Sequence, residues 1–134
     1  QGRITASPVA FTAMLFPTVP YTNQFSPALC LASEIMENVT LHSRIREQGG
    51  AYGSGAVNGV LSGQFYFYSY RDPHLFSTID AFHEAVHTLI EGDFEENELE
   101  EAKMGIFQDL DSPIPPGARA ASSYSRLRTG RTPD

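Results

Sequence analysis

The chain has 134 residues, 41% hydrophobic and 19% charged, which is one ordinary domain's length and too apolar for a disordered segment. Nine Lys and Arg against sixteen Asp and Glu leave a net charge of −7, a surface that repels phosphate backbones, so nucleic acid is not an expected partner. One cysteine, Cys30, excludes an internal disulfide framework and a multi-cysteine zinc site, and no apolar run reaches the roughly 18 residues that cross a bilayer.

Val9 to Tyr21 is apolar, aromatic and β-branched and reads as a strand, with Pro17 and Pro20 marking an edge or the exit from the sheet. Ser26-Pro27 reads as a helix start, Ser as N-cap and Pro at the first helical position. Ala28, Leu31, Ala32, Ile35, Val39 and Ile45 recur at helical spacing, so the helix is expected to run to about Gln48 and to end at Gly49-Gly50. Ala51 to Val57 is a glycine-rich strand, Asn58-Gly59 a hairpin signal, and Val60 to Tyr70 the partner strand. Phe65 and Phe67 line one face of that strand and Tyr66, Tyr68 and Tyr70 the other, which predicts cover on both sides of the sheet. A second helix is expected from Pro73 to about Glu91, with a stripe of Leu75, Ile79, Phe82, Val86, Leu89 and Ile90. After Gly92, an acid-rich first turn opens a third helix with Leu99, Ala102, Ile106 and Leu110 inward. Residues 112–134 read as a linker and tail without clear periodicity, the tail being rich in arginine. The order β-α-β-β-α-α predicts an α+β two-layer sandwich, a mainly antiparallel sheet packed by helices.

His83-Glu84-Ala85-Val86-His87 matches H-E-x-x-H, in which two imidazoles one helical turn apart hold zinc and the glutamate activates water. At roughly 100° per residue, His83 falls at the flank of the helix's apolar stripe, His87 further round, and Glu84 almost opposite. No His-x-x-Gly-x-x-His continuation supplies a third ligand, and Glu98 and Glu101 belong to a general acidic run. The match is read as coincidence, with a zincin site kept as the lesser alternative.

Leu41 to Tyr52, LHSRIREQGGAY, carries a second constellation. Arg46 stands at a helix end and Tyr52 at a strand start, and the reversal through Gly49-Gly50 can bring both to one place. A guanidinium and a phenol hydroxyl are donors suited to a carbonyl oxygen or a developing oxyanion. The plainer account is dipole compensation for Arg46 and half-buried packing for Tyr52.

Leu41-His42, Ile45-Arg46 and Gly49-Gly50-Ala51-Tyr52-Gly53 together match L-H-x-x-I-R-x-x-G-G-A-Y-G. Tyr68-Ser69-Tyr70-Arg71-Asp72-Pro73, Glu100-Glu101-Ala102-Lys103, Asp111-Ser112-Pro113 and Pro115-Pro116 follow in step. In these segments, about Ser26 to Pro116, the chain resembles the C-terminal half of the pitrilysin/insulinase family of zinc metallopeptidases, and within it the presequence-protease branch.

The resemblance implies a metallopeptidase-type domain without the zinc motif. In that family the first domain binds zinc through an inverted H-x-x-E-H, which this sequence lacks, and the last domain faces it across a closed chamber. By position, Arg46 and Tyr52 match the last domain's substrate-contacting pair, with Gly49 and Gly50 beside them as substrate-binding backbone. Zinc is then a cofactor of the parent enzyme, held outside this chain. The implied partners are unfolded peptide substrates and the zinc-bearing N-terminal half of the same polypeptide. The chain is expected to be a single partial domain, inactive alone. Its start at Gln1 suggests a piece of something longer, and GRTPD at 130–134 resembles the family's Gly-x-x-Asp turn before a closing helix. A non-catalytic homologue that pairs with a catalytic partner is the alternative. Cytoplasm or an organelle matrix is favoured over secretion.

Overall fold

The computed structural model describes residues 6–131. Its sheet has three antiparallel strands, β1 (Ala10–Pro17), β2 (Gly53–Gly59) and β3 (Gln64–Asp72), in the order β1-β3-β2. Helix α1 (Ser26–Met36) runs directly into a π-helical segment, Glu37–Gln48, and α2 (Phe76–Glu91), α3 (Glu96–Asp111) and α4 (Pro116–Thr129) follow the sheet. The expected α+β sandwich is present, with one helix more than periodicity indicated. α4 occupies most of the segment read as a linker and tail. None of its residues is buried, and its apolar positions are few, Ala120, Tyr124 and Leu127. Thr132 to Asp134, the end of the GRTPD turn, lie outside the described residues.

The core lies on one face of β3. Phe67 stacks on Phe82 of α2 at 5.3 Å between centroids, and Leu41, Ile45 and Ala85 close around the pair. The buried face of α2 is Thr78, Ala81, Phe82 and Ala85. Of the expected centre at Ile79, Phe82 and Val86, Phe82 is buried, and the face around it is rotated by about one residue, with Ala81 and Ala85 leaving room for the π segment to approach. Leu75 and Ile90, also expected inside, are exposed. α2 starts at Phe76 rather than Pro73, and the Asp72 carboxylate ahead of it accepts from His74 N–H at 2.8 Å and Thr78 Oγ1 at 2.6 Å.

In the π segment the buried residues are Leu41 and Ile45 with Thr40, following Met36 at the end of α1, so the apolar positions step by five and four rather than three and four. An i→i+5 helix has that wider period. Val39, placed inside by the α spacing, is only half-buried, whereas Leu41 is fully enclosed.

The hairpin also differs from its sequence signal. Asn58 and Gly59 are in β2, and the turn spans residues 60–63, with Gly63 at φ 72°. Asn58 is buried, accepts from Thr18 Oγ1 at 2.7 Å and donates to the Ser26 carbonyl at 3.2 Å. It ties the first loop to the start of α1, a tertiary task that a turn residue does not have. Ser26 itself lies inside α1 and caps nothing. Phe25 is the N-cap residue.

The opposite face of the sheet carries Tyr66, Tyr68 and Tyr70 with Phe11 and Leu15 of β1 paired beside them. Cover was expected there, but Phe11 and Leu15 are 72% and 54% exposed, so the β1 side of this face is open among the described residues. The glycines of β2 make room for the tyrosines: a Cβ on Gly53 would lie 2.1 Å from the Tyr70 ring, and one on Gly55 would lie 2.9 Å from Tyr68.

Candidate functional site

A cleft of about 880 Å³ opens where the π segment, β2 and the end of β3 meet, and Arg46, Tyr52, Glu37, Tyr68, Tyr70 and Arg71 line it. Arg46 and Tyr52 reach it through the backbone reversal between them. Gly50 N–H donates to the Arg46 carbonyl at 3.0 Å and Ala51 N–H to the Ile45 carbonyl at 3.1 Å, with Gly50 at φ 74°. These bonds are the two of a Schellman exit, each one residue wider because the helix being closed is a π-helix. Gly50 supplies the left-handed conformation. Gly49 is needed for space, since a Cβ there would fall 2.6 Å from the Ile45 carbonyl oxygen. Of the two glycines, Gly50 lines the cleft, whereas Gly49 lies on a separate concavity with Arg44 and Gln48.

Tyr52 is 64% exposed and is held by its neighbours rather than by burial. Its ring lies 5.4 Å from that of Tyr70, and the Arg71 guanidinium sits 5.7 Å from its centroid, a cation–π contact. Its N–H donates to the Arg71 carbonyl at 3.4 Å. Among the described residues, no carboxylate lies within 4.0 Å of Arg46 or Arg71. Their charges face the cleft.

Arg71 is the one non-glycine residue with positive φ, 51°, among the described residues. An arginine held there costs on the order of 1 kcal/mol or more. The register explains it: Phe11 pairs with Tyr70 and Ala10 with Asp72, so Arg71 is an extra residue bulged out of β3.

Glu37 is the cleft's acid. Its Oε2 accepts from Ala56 N–H at 3.4 Å on the outer edge of β2. Burial pushes its pKa up, and nearby Glu34 adds to the rise. The Ala56 bond, Arg46 and His42 pull the other way. Tyr68 is raised too, by burial and then by the Glu37 charge. Neither Glu37 nor Arg71 stood out in the sequence as a site residue. An arginine in the inward phase of an alternating strand is the signal that could have found Arg71. For Glu37, on a segment read with the wrong helical period, there was none.

His83 and His87 of α2 are exposed, and His87 Nε2 lies 4.0 Å from Glu91. Glu84 does not point away from the protein as the helical wheel indicated. It is half-buried and accepts from Arg44 Nε at 3.1 Å and from Nη2, across to the π segment. A carboxylate engaged by a guanidinium is not poised to activate a water. Among the described residues no three His, Cys, Asp or Glu side chains converge as a metal would require. The chemistry available in the cleft is hydrogen-bond donation and positive charge from Arg46, Arg71 and the tyrosines, with one carboxylate, Glu37.

A family model described as the PreP C-terminal domain matches residues 6–134. The chain is 42% identical over 106 residues to the mitochondrial presequence protease of Emericella nidulans, covering 79% of this chain and 10% of that protein. It is 39% identical over 117 residues to the mitochondrial presequence protease of Xenopus laevis and 38% identical over 116 residues to that of Danio rerio, each covering 87% of this chain and 11% of the relative. The chain thus spans about a tenth of the length of the curated relatives it matches.

Proposed function

The chain belongs to the PreP C-terminal domain family, a family of peptidase domains, and from that premise we propose that it is the substrate-facing part of a zinc metalloendopeptidase degrading unstructured peptides. Arg46 and Tyr52 donate hydrogen bonds to the peptide carbonyl next to the cleaved bond and to the oxyanion that forms from it. The observation that supports this reading is an arginine with no carboxylate within 4.0 Å among the described residues and an exposed tyrosine on one cleft, delivered by a single glycine reversal. Donors already fixed when charge develops on oxygen lower the barrier without reorganisation. Gly50 contributes the backbone that lets the peptide approach, and Gly49 the tight exit that holds it.

The described residues of this chain form no cluster that fits a zinc ion, and in this reading the metal belongs to the N-terminal half of the same polypeptide, across a closed chamber. There it would supply the activated water. Alone, the chain has no hydrolytic activity in this reading. The relatives named above are mitochondrial proteins, and an organelle matrix is the proposed location.

The test is Arg46→Lys and Tyr52→Phe in the full-length polypeptide. A lysine keeps the charge and loses the planar fork, and a phenylalanine keeps the packing and loses the donor. Each is expected to lower turnover by about a hundredfold, on the order of 3 kcal/mol, with the melting temperature unchanged. Turnover near wild type in both variants would remove the assignment and favour a non-catalytic role.

A further inference from the structure

By the alternation of β3, position 71 belongs to the inner face. Phe65, Phe67 and Ser69 point toward the helices, and Tyr66, Tyr68 and Tyr70 toward the open side. A regular strand would drive the Arg71 side chain into the core and leave Asp72 outside. The reverse is observed: Asp72 is 1% exposed, bonded to His74 N–H and Thr78 Oγ1, while Arg71 is exposed and lines the cleft. The bulge at Arg71 performs this exchange. Such a bulge needs a left-handed residue, for which glycine is the unstrained choice. Swapping the faces would be satisfied by glycine. The arginine side chain adds nothing to the exchange itself, and it enters the cleft beside Arg46 with no carboxylate within 4.0 Å among the described residues.

The cleft therefore holds two guanidiniums with no carboxylate within 4.0 Å among the described residues, against one carboxylate, Glu37, which accepts from Ala56 N–H at the edge of β2. In a chain with nine basic residues and a net charge of −7, this is a local inversion of sign. Carboxylates are the planar, bidentate partners of guanidinium in a peptide. We propose that Arg71 is a specificity-determining residue that receives a carboxylate of the bound peptide, either an acidic side chain or the C-terminus, beside the carbonyl held by Arg46 and Tyr52. This rests on reading the cleft as substrate-facing.

The experiment measures kcat/KM of the full-length polypeptide on two twin sets of unstructured peptides. In one, a glutamate is moved through the positions flanking the cleaved bond and compared with glutamine. In the other, a free C-terminus is compared with its amide. Wild type is expected to prefer the carboxylate twin in one set by about tenfold, the scale of a charge-assisted hydrogen bond, and the responding set identifies the source. Arg71→Gly brings that ratio to near one, while its melting temperature stays level or rises because the left-handed strain is released. Arg71→Lys retains part of the preference. An unchanged ratio in Arg71→Gly, or no preference in wild type, overturns the proposal, and a lowered melting temperature with an unchanged ratio assigns the residue to the fold alone. Arg46→Lys and Tyr52→Phe are run alongside. If they lose turnover while Arg71→Gly keeps the ratio, only the Arg71 role fails. If they too are unchanged, the cleft reading fails with it.

Discussion

Arg44 and Arg46 stand two residues apart on the π segment and meet different fates. Arg44 turns to α2, where Glu84 takes its guanidinium, so the literal H-E-x-x-H of that helix ends as a salt bridge flanked by two exposed histidines. Arg46 turns to the cleft, where no carboxylate lies within 4.0 Å among the described residues. The α2 face is regular helix with a recognisable motif. The cleft draws Arg46 and Tyr52 from one compact stretch but is assembled from a π segment, a glycine reversal, glycine-bearing β2 and a bulged β3. Spacing on one helix can place ligand types side by side, but it does not leave them unengaged. Irregular backbone from several elements can aim unengaged groups at one volume.

The largest expected contrast lies between those two arginines. Arg46→Ala should cost about a hundredfold in turnover of the full-length polypeptide and little stability. Arg44→Ala should leave turnover unchanged and cost at most about 1 kcal/mol of stability, since its ion pair is half-exposed. Parallel kinetics and chemical denaturation read both quantities, and equal kinetic losses would erase the distinction. Gly50→Ala comes next. Forcing a Cβ into the left-handed exit should cost about 1–2 kcal/mol and lower turnover as well, because the same reversal carries Arg46 and Tyr52. A stability loss with full turnover would show that the cleft does not depend on it.

On the α2 face, the triple change His83→Ala, Glu84→Gln, His87→Ala should stay within about 1 kcal/mol of wild-type stability. Turnover and the zinc content of the full-length polypeptide, measured by atomic spectroscopy, should not change. Loss of zinc would revive the motif. The smallest effect is a pH dependence at Glu37. Its pKa is raised in the folded state, chiefly by burial, so its contribution favours folding below the ordinary glutamate value of 4.5 and is lost as pH rises through the raised value. Glu37→Gln should therefore be slightly more stable than wild type at neutral pH, and the difference should vanish on acidification below 4.5. A difference that grows on acidification would reverse the sign of the burial effect.

The strands, the helices α1 to α3 and the reversal at Gly49-Gly50 were legible because local chemistry dictates them. Period-two alternation runs through Phe65 to Tyr70, apolar spacing marks the helices, and glycine is the residue that tolerates a left-handed exit. Arg46 and Tyr52 could be named because they flank that reversal, and the resemblance to a known pattern singled them out. Their meeting on one cleft is a property of the fold. α4 was not legible because its short stripe, Ala120, Tyr124 and Leu127, follows a Pro-rich stretch and packs into no core among the described residues.

What the order of residues determined by itself is the three strands, helices α1 to α3 and the reversal at Gly49-Gly50, since these follow from preferences within a few neighbouring residues. Tertiary structure decided the rest. Whether residues 37–48 wind as an α- or a π-helix depends on whether Val39 or Leu41 finds the core, and that depends on α2 and β2 packing against it. Whether Arg71 points in or out depends on Asp72 being captured by the start of α2. Whether Glu84 is a base or half of an ion pair depends on Arg44, forty residues earlier in the chain. Each is a choice between conformations that differ little locally, made by contacts distant in sequence, and the geometry of the cleft is the outcome of those choices.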